Sequence, residues 1–303
     1  MIAAGMRSVD NLPGNGIRPR RPYDGAMTVS LHPTARPHRS TPLPFGEHLR
    51  HWRQHRRLSQ LDLASEADIS TRHLSFVETG RAVPSREMVL RLSERLAIPL
   101  RERNTLLVAA GYAPMYRERP LDDPALASAR QAVALILKSH EPFPALALDR
   151  HWNLLAANAA LPHLLAGADP ELLQAPINVL RLSLHPRGLA SKIVNLAQWR
   201  NHLFERLRQQ IAATADPVLA ELLAELQAYP LPEGADETHL EGEHLGVVMP
   251  FQFRTAYGVL SFISTVTIFG TPVDVTLQEL MLETFFPADA LTGEVLRKLL
   301  SPA

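Results

Sequence analysis

The chain has 303 residues, no formal net charge, 46% hydrophobic and 20% charged side chains, a composition neither disordered nor fibrous and long enough for about two domains of roughly 100–200 residues. It contains no cysteine, which excludes a disulfide framework, a thiol nucleophile, an iron–sulfur cluster and a thiolate zinc site. Its longest apolar runs, such as 260–268, fall far short of the about 20 residues that span a bilayer, so no membrane partner is expected.

The zero sum hides an asymmetry. Residues 1–112 carry 17 Arg and no Lys against 10 Asp plus Glu, a net +7; residues 113–303 carry 14 Lys plus Arg against 21 acids, a net −7. The basic N-terminal part suits a polyanion, because phosphate neutralisation supplies most non-specific affinity for nucleic acid.

Residues 1–42 are rich in Gly, Pro, Arg and Ser without a sustained apolar period, which predicts a flexible tail without a signal-peptide core. Met27 is an alternative start to Met1. Residues 43–112 follow a three-and-four apolar spacing that predicts five short helices. The first covers Phe45 to Arg57 with Phe45, Leu49 and Trp52 inward. Ser59 caps a second from Gln60, with Leu63, Ala64 and Ala67 on one face. Asp68 and Ile69 turn, Ser70 caps a third through Thr79, and Gly80 ends it. Two short helices about a tight turn, the second with Leu74 and Val77 inward, make helix-turn-helix geometry. Ser85 to Ala97 and Leu100 to Gly111 complete the bundle, with Leu92 in its core. Pro114, Pro120 and Pro124 punctuate a linker over 113–124.

Leu58-Ser-Gln-Leu-Asp-Leu-Ala, Ile69-Ser, Leu74-Ser-Phe-Val-Glu-Thr-Gly-Arg and Pro84-Ser resemble the helix-turn-helix of phage-repressor-like, XRE-type regulators over about 70 residues. The resemblance implies a double-stranded DNA operator. It assigns Gln60 and Ser70 to phosphate, Gln60 also buttressing the recognition helix, and turns Thr71, Arg72, Ser75 and Phe76 toward base edges, with Arg81 just beyond the helix. Arg72 suits guanine O6 and N7, whereas Phe76 is limited to a thymine methyl or the rim. Arg53 and Glu78 match a buried ion pair of that fold. Arg50, Arg56, Arg57 and Arg86 are open between solvent and phosphate.

Residues 125–303 read as an α+β unit. Ala125 to Ser139 is an amphipathic helix; Pro144 to Asp149 and His151 to Leu155 are short extended stretches about Asp149-Arg150; Ala156 to Ala166 is helical. Leu196 to Ala212 and Pro217 to Ala228 are amphipathic helices, and residues 230–246 form a loop. Val247 to Thr255 and Val259 to Phe269 read as a hairpin about Tyr257-Gly258, and Leu277 to Phe286 as a further strand. The expectation is a few antiparallel strands with helices on one side.

Pro144-Ala-Leu-Ala-Leu-Asp-Arg-His-Trp-Asn, Asn158-Ala-Ala, Asn178-Val-Leu-Arg-Leu-Ser-Leu-His-Pro, Phe269-Gly-Thr-Pro-Val-Asp-Val-Thr and Phe286-Pro-Ala-Asp-Ala-Leu-Thr resemble the ligand-binding domain of MmyB-like transcription regulators, over about 180 residues. The resemblance implies a PAS-like fold, an antiparallel sheet and flanking helices enclosing an apolar cavity, and a small apolar, fatty-acyl-like effector. Trp152, Leu154, Phe251, Phe253, Phe262, Leu282 and Phe285 are the expected lining, with a filled core as the plain alternative. Asn153, Asn158, Asn178, Arg181 and His185 serve as turn and cap residues or as ligand contacts; Arg181 and His185, four apart, suit a carboxylate if both turn inward.

No phosphate-binding Gly loop, G-x-S-x-G elbow or H-E-x-x-H helix is present, so no catalytic residue is assigned and an enzyme is not expected. His239, Glu241, Glu243 and His244 sit in a polar loop and are read as solvated rather than metal-binding; no cofactor is expected. The reading is a cytoplasmic, homodimeric DNA-binding regulator with an apolar effector. The alternative is a DNA-binding protein whose second domain serves only dimerisation or a protein partner.

Overall fold

The computed structural model describes residues 43–231, 249–269 and 274–300. The tail with Met27, residues 232–246 of the expected loop with His239, Glu241, Glu243 and His244, and residues 270–273 of the Phe269 motif lie outside the described residues.

Five short helices form the N-terminal bundle: α1 (Phe45–His55), α2 (Gln60–Glu66), α3 (Thr71–Glu78), α4 (Arg86–Arg95) and α5 (Leu100–Ala109). Serine starts three of them. Ser59 Oγ accepts the Asp62 N–H at 3.1 Å while the Asp62 carboxylate accepts the Ser59 N–H at 2.9 Å; Ser70 and Ser85 cap α3 and α4 through the His73 and Met88 amides. Each such cap contributes about 1 kcal/mol, which matters for helices of seven to ten residues. Leu49, Trp52, Leu63, Leu74, Val77 and Leu92 are buried together.

Gly46 lets α1 cross the end of α3 at backbone distance, because a methyl there would overlap the Glu78 and Val77 carbonyls. Neither carbonyl belongs to a side chain that can swing away. Gly46→Ala is therefore expected to destabilise the bundle by about 1–3 kcal/mol through forced repacking. Denaturant unfolding followed by circular dichroism checks this, and an unchanged midpoint would refute it.

After a 3₁₀ turn at Pro124–Leu126, the C-terminal part runs α6 (Ala127–Ser139), β1 (Ala145–Leu148), β2 (Leu154–Ala157), α7 (Leu161–Leu165), α8 (Val179–Leu184), α9 (Leu196–Thr214), α10 (Pro217–Gln227), β3 (Pro250–Thr255), β4 (Gly258–Ile268), α11 (Val275–Gln278), β5 (Met281–Pro287) and α12 (Ala290–Leu300). The five strands form one antiparallel sheet in the order β2-β1-β5-β4-β3. The hairpin closes between Thr255 and Gly258, whose φ of +112° suits glycine.

Three expectations change. Ala156 and Ala157 extend β2, and the helix begins only at Leu161, because Asn158 holds the intervening turn. Leu277 and Gln278 belong not to the strand but to a helical turn, Val275–Gln278, capped by Asp274, whose carboxylate accepts the Thr276 N–H at 3.0 Å. Helices also cover both faces of the sheet. Alternation along β1 and β5 sends Ala145, Ala147, Leu280 and Leu282 toward Val133 and Leu137 of α6, and Leu146, Leu148 and Phe285 into the larger core with α8, α9 and α10. No described helix is long and apolar enough to cross a membrane.

The linker is docked on this second part. The Arg117 carbonyl accepts the Val275 N–H at 2.8 Å and the Arg119 carbonyl accepts the Thr276 hydroxyl at 2.5 Å. Arg101 of α5 pairs with Glu279 through two bonds of 2.8 and 2.9 Å, and the Leu100 N–H donates to Gln278 at 2.9 Å.

Candidate DNA interface and ligand cavity

On α3, Leu74 and Val77 are buried, Arg72 is exposed and Thr71, Ser75 and Phe76 are half-buried. The Arg72 guanidinium lies 5.4 Å from the centre of the Phe76 ring, within cation–π range. Ser70 caps the helix and keeps an exposed position at its start; Arg81 is exposed just after it. Gln60 donates from Nε2 to Glu78 Oε2 at 2.7 Å, so its side chain buttresses the far end of α3. Arg53 completes that support. Its Nε and Nη2 donate to the two Glu78 oxygens at 2.7 and 3.0 Å and its Nη1 to the Leu58 carbonyl at 2.8 Å, which ties α1, the turn before α2, and α3. The bond to Glu78 holds the guanidinium above its ordinary pKa against its burial.

Of the arginines left open by the sequence, Arg50, Arg57 and Arg86 are exposed. Arg56 is engaged elsewhere. It donates to the Leu96 and Ala97 carbonyls at the end of α4 and to the Ala212 and Ala213 carbonyls at the end of α9, at 2.6–3.2 Å. His55 Nε2 lies 2.8 Å from the same Ala212 carbonyl. Cations at a helix C-terminus meet orphan carbonyls and the negative end of the dipole. Arg56 is therefore a bracket between the two halves of the chain.

Between the sheet and α7, α8 and α9 lies an apolar cavity of about 80 Å³. Trp152, Leu154, Phe251, Phe253 and Phe285 line it, together with Trp199 and Leu203 of α9. Phe262 is fully buried behind them, its ring 6.0 Å from Phe251 and 6.1 Å from Phe285, and does not reach the cavity. Leu282 must be reassigned to the opposite face of the sheet, under α6. Asn158 is buried in its turn, accepting the Ala145 N–H and donating to the Leu137 and Phe143 carbonyls. Arg181 and His185 do not turn inward: Arg181 makes a forked pair with Glu225 at 2.7–3.0 Å, and His185 packs edge-on against Tyr229. Asn178 caps α8 and bonds the His151 carbonyl, while Asn153 bonds Asp149.

Trp152 has a φ of +67°, which costs a bulky side chain on the order of 1–3 kcal/mol. The turn around it is held by Asp149, which accepts the His151 and Asn153 amides, while the indole N–H donates to Gln210 of α9 at 2.8 Å. Beside it, Arg206 lies 4.7 Å over the Trp152 ring and pairs with buried Glu283 at 2.9 Å. His202, stacked on Trp199, is held below its ordinary pKa by burial and by Arg206, against the opposing pull of Glu283. Among the described residues no cluster suited to a metal ion occurs.

Residues 44–106 match the model of a helix-turn-helix domain, and residues 129–299 match that of the MmyB-like transcription regulator ligand binding domain. The chain belongs to the MmyB-like transcription regulators. No individually characterised protein matches it. In this DNA-binding regulator the match to the ligand-binding model spans the whole cavity, and the helix-turn-helix match spans α1–α4 and most of α5. Sequence reasoning missed Trp199, Leu203 and Glu283 as lining. The first two were legible as the apolar stripe of α9; Glu283 had no such signal, because a carboxylate on an alternating strand reads as solvent-facing.

Proposed function

We propose that this regulator binds a DNA operator through α3 and that a small apolar, acyl-chain-like molecule in the C-terminal cavity alters that binding. The division into a DNA-binding unit over 43–112, a linker over 113–124 and a PAS-like ligand-binding unit over 125–303 is part of this reading, supported by separate apolar cores in the two units. The observation that carries it is α9. One end of this 19-residue helix lines the cavity with Trp199 and Leu203, and the other ends in carbonyls held by Arg56 of the DNA-binding bundle.

The cavity is smaller than the about 150 Å³ of an apolar cavity that accepts benzene, so a chain-like effector has to widen it. Widening displaces α8 or α9 from the sheet, and a ligand that favours the widened state shifts the docking of the DNA-binding unit by its differential affinity for the two states. The test is to delipidate the full chain, identify the extracted organic molecules by mass spectrometry, and add them back while measuring operator affinity. Arg56→Ala is expected to keep ligand binding and lose the operator response. An equal response in wild type and variant would reject α9 as the route.

Gln60, Ser70, Thr71, Arg72, Ser75, Phe76 and Arg81 form the DNA surface of this reading. Arg72→Ala is expected to weaken operator binding by about 1–3 kcal/mol, a lost bidentate base contact, with folding unchanged. An unchanged ratio of specific to non-specific affinity would reject that role. A homodimer in the cytoplasm reading two half-sites about 34 Å apart fits a bundle this small; light scattering of the complex checks it. The alternative, a second domain used for dimerisation or a protein partner, draws support from exposed Leu135, Val259 and Phe286.

A further inference from the structure

Charged groups at the junction of the two units surround a second hollow, a cleft of about 690 Å³ that shares no lining residue with the apolar cavity. The bundle contributes Arg56, Arg101, Glu102 and Arg103 to it, and the C-terminal unit Arg150, Asp216 and Glu279. Most of these have partners. Arg56 and Arg103 donate to backbone carbonyls, Arg101 forks onto Glu279, and Asp216 accepts the Val218 N–H and pairs with His151. Glu102 differs: it makes no hydrogen bond with the described residues. Burial pushes its carboxyl above the ordinary pKa against the opposing pull of Arg150 and Arg101, and Asp216 and Glu279 add to the rise. Its acceptor oxygens therefore stand half-desolvated and short of donors. Arg150 is the counterpart on the other unit. Its Nη1 lies 3.7 Å from Asp216 and 3.6 Å from Glu279, beyond hydrogen-bond reach, and its guanidinium donates to no described residue.

The cleft also has an apolar side. Ile98, Leu219 and the cross-strand neighbours Ile268 and Met281 form it, and Ile268 keeps 62% of its surface exposed. We propose that this cleft binds a small zwitterion with an apolar side chain, an α-amino acid of the leucine kind, whose ammonium donates to Glu102, whose carboxylate accepts from Arg150 and whose side chain covers Ile268. A simple anion would stand beside Glu102, Asp216 and Glu279, and a simple cation beside Arg101 and Arg150. A zwitterion meets both unbonded groups and brings in no net charge. Glu102 belongs to α5 and Arg150 to the turn between β1 and β2, so the bound molecule bridges the two units. It favours their docked arrangement by its differential affinity for that state.

The experiment is calorimetric titration of the full-length protein at neutral pH with three probes: L-leucine, 4-methylpentanoate, which lacks the ammonium, and 3-methylbutylamine, which lacks the carboxylate. Wild type is expected to bind leucine at least about tenfold more tightly than either half, the worth of one hydrogen bond to a charged group. Glu102→Gln is expected to abolish the preference for leucine over 4-methylpentanoate. Arg150→Gln is expected to abolish the preference for leucine over 3-methylbutylamine. Unchanged circular dichroism of both variants shows that they fold, and a loss confined to the matching probe pair separates the two contacts. Either half binding wild type as tightly as leucine, no heat with leucine, or leucine binding unaltered in both variants would overturn the proposal. Each of those results leaves the apolar-effector reading standing, because the cavity and the cleft have no residue in common.

Discussion

Arg53→Met is expected to lower the stability of the DNA-binding bundle by about 3–5 kcal/mol, because it leaves Glu78 buried with its cation gone. The Glu78 side chain is only 2% exposed, and Gln60 would remain as its one side-chain donor. The loss exceeds that of the pair alone, since the Leu58 carbonyl also loses its donor. Because Glu78 closes α3, operator binding is expected to fall with stability. The control is the double replacement of Arg53 and Glu78 by Met: with both charges removed, an apolar pair of similar volume should recover most of the loss. Urea unfolding of wild type, the single and the double variant measures this. A double variant no more stable than Arg53→Met would mean that side-chain packing, and not the stranded charge, sets the cost.

Trp199→Ala is expected to cost the C-terminal unit about 3–5 kcal/mol, the range for removing a large buried aromatic. Trp199 is 4% exposed, lies 4.8 Å from the Phe251 ring and donates to Ser183. Its removal enlarges a cavity that already exists, so the surrounding side chains have less reason to collapse around the loss. Added indole is expected to return part of the stability by mass action, about 2.7 kcal/mol at a hundred times its dissociation constant. Wild type should gain little, having no room for a bicyclic ring. Thermal melts with and without indole decide it, and a variant that indole leaves untouched would show that the site closes over.

The DNA-binding bundle was legible nearly residue by residue because two local signals coincide there, a three-and-four apolar spacing and serines at the helix starts, while the Arg53–Glu78 pair came from the family resemblance and not from local pattern. The close crossing at Gly46 left no trace, since a glycine early in a helix gives no sign of what approaches it. In the C-terminal unit the hairpin was visible from β-branched and aromatic alternation about Tyr257-Gly258. Residues 156–157 were misread because alanine favours helix locally, whereas pairing with β1 decides their conformation. The terminal helix α12 went unread beside the motif at Phe286. The site was half legible. Aromatic residues on β3 and β5 pointed to the cavity, but Leu282 was placed there beside Phe285 on apolar character alone, although strand alternation puts the two on opposite faces and gives the cavity side to Glu283. Arg181 and His185 share a stretch with the cap Asn178, and only the position of α10 shows that Arg181 belongs to Glu225.

The Arg56 bracket and the Arg101–Glu279 pair also set the electrical face that this protein shows to DNA. While the two units are docked, Arg101 of the basic bundle is neutralised by a carboxylate from the acidic unit, and Arg56 is held against two helix ends. Separation of the units removes the Glu279 carboxylate from the basic bundle, while Glu118 stays beside Arg101 and the α4 carbonyls stay on Arg56, and so raises the effective charge of the DNA-binding part. Counterion release makes such a change measurable, because the logarithm of the binding constant falls with the logarithm of salt concentration by about 0.9 for each phosphate neutralised. Salt dependence of DNA binding is thus a gauge of domain docking, readable without knowing the effector.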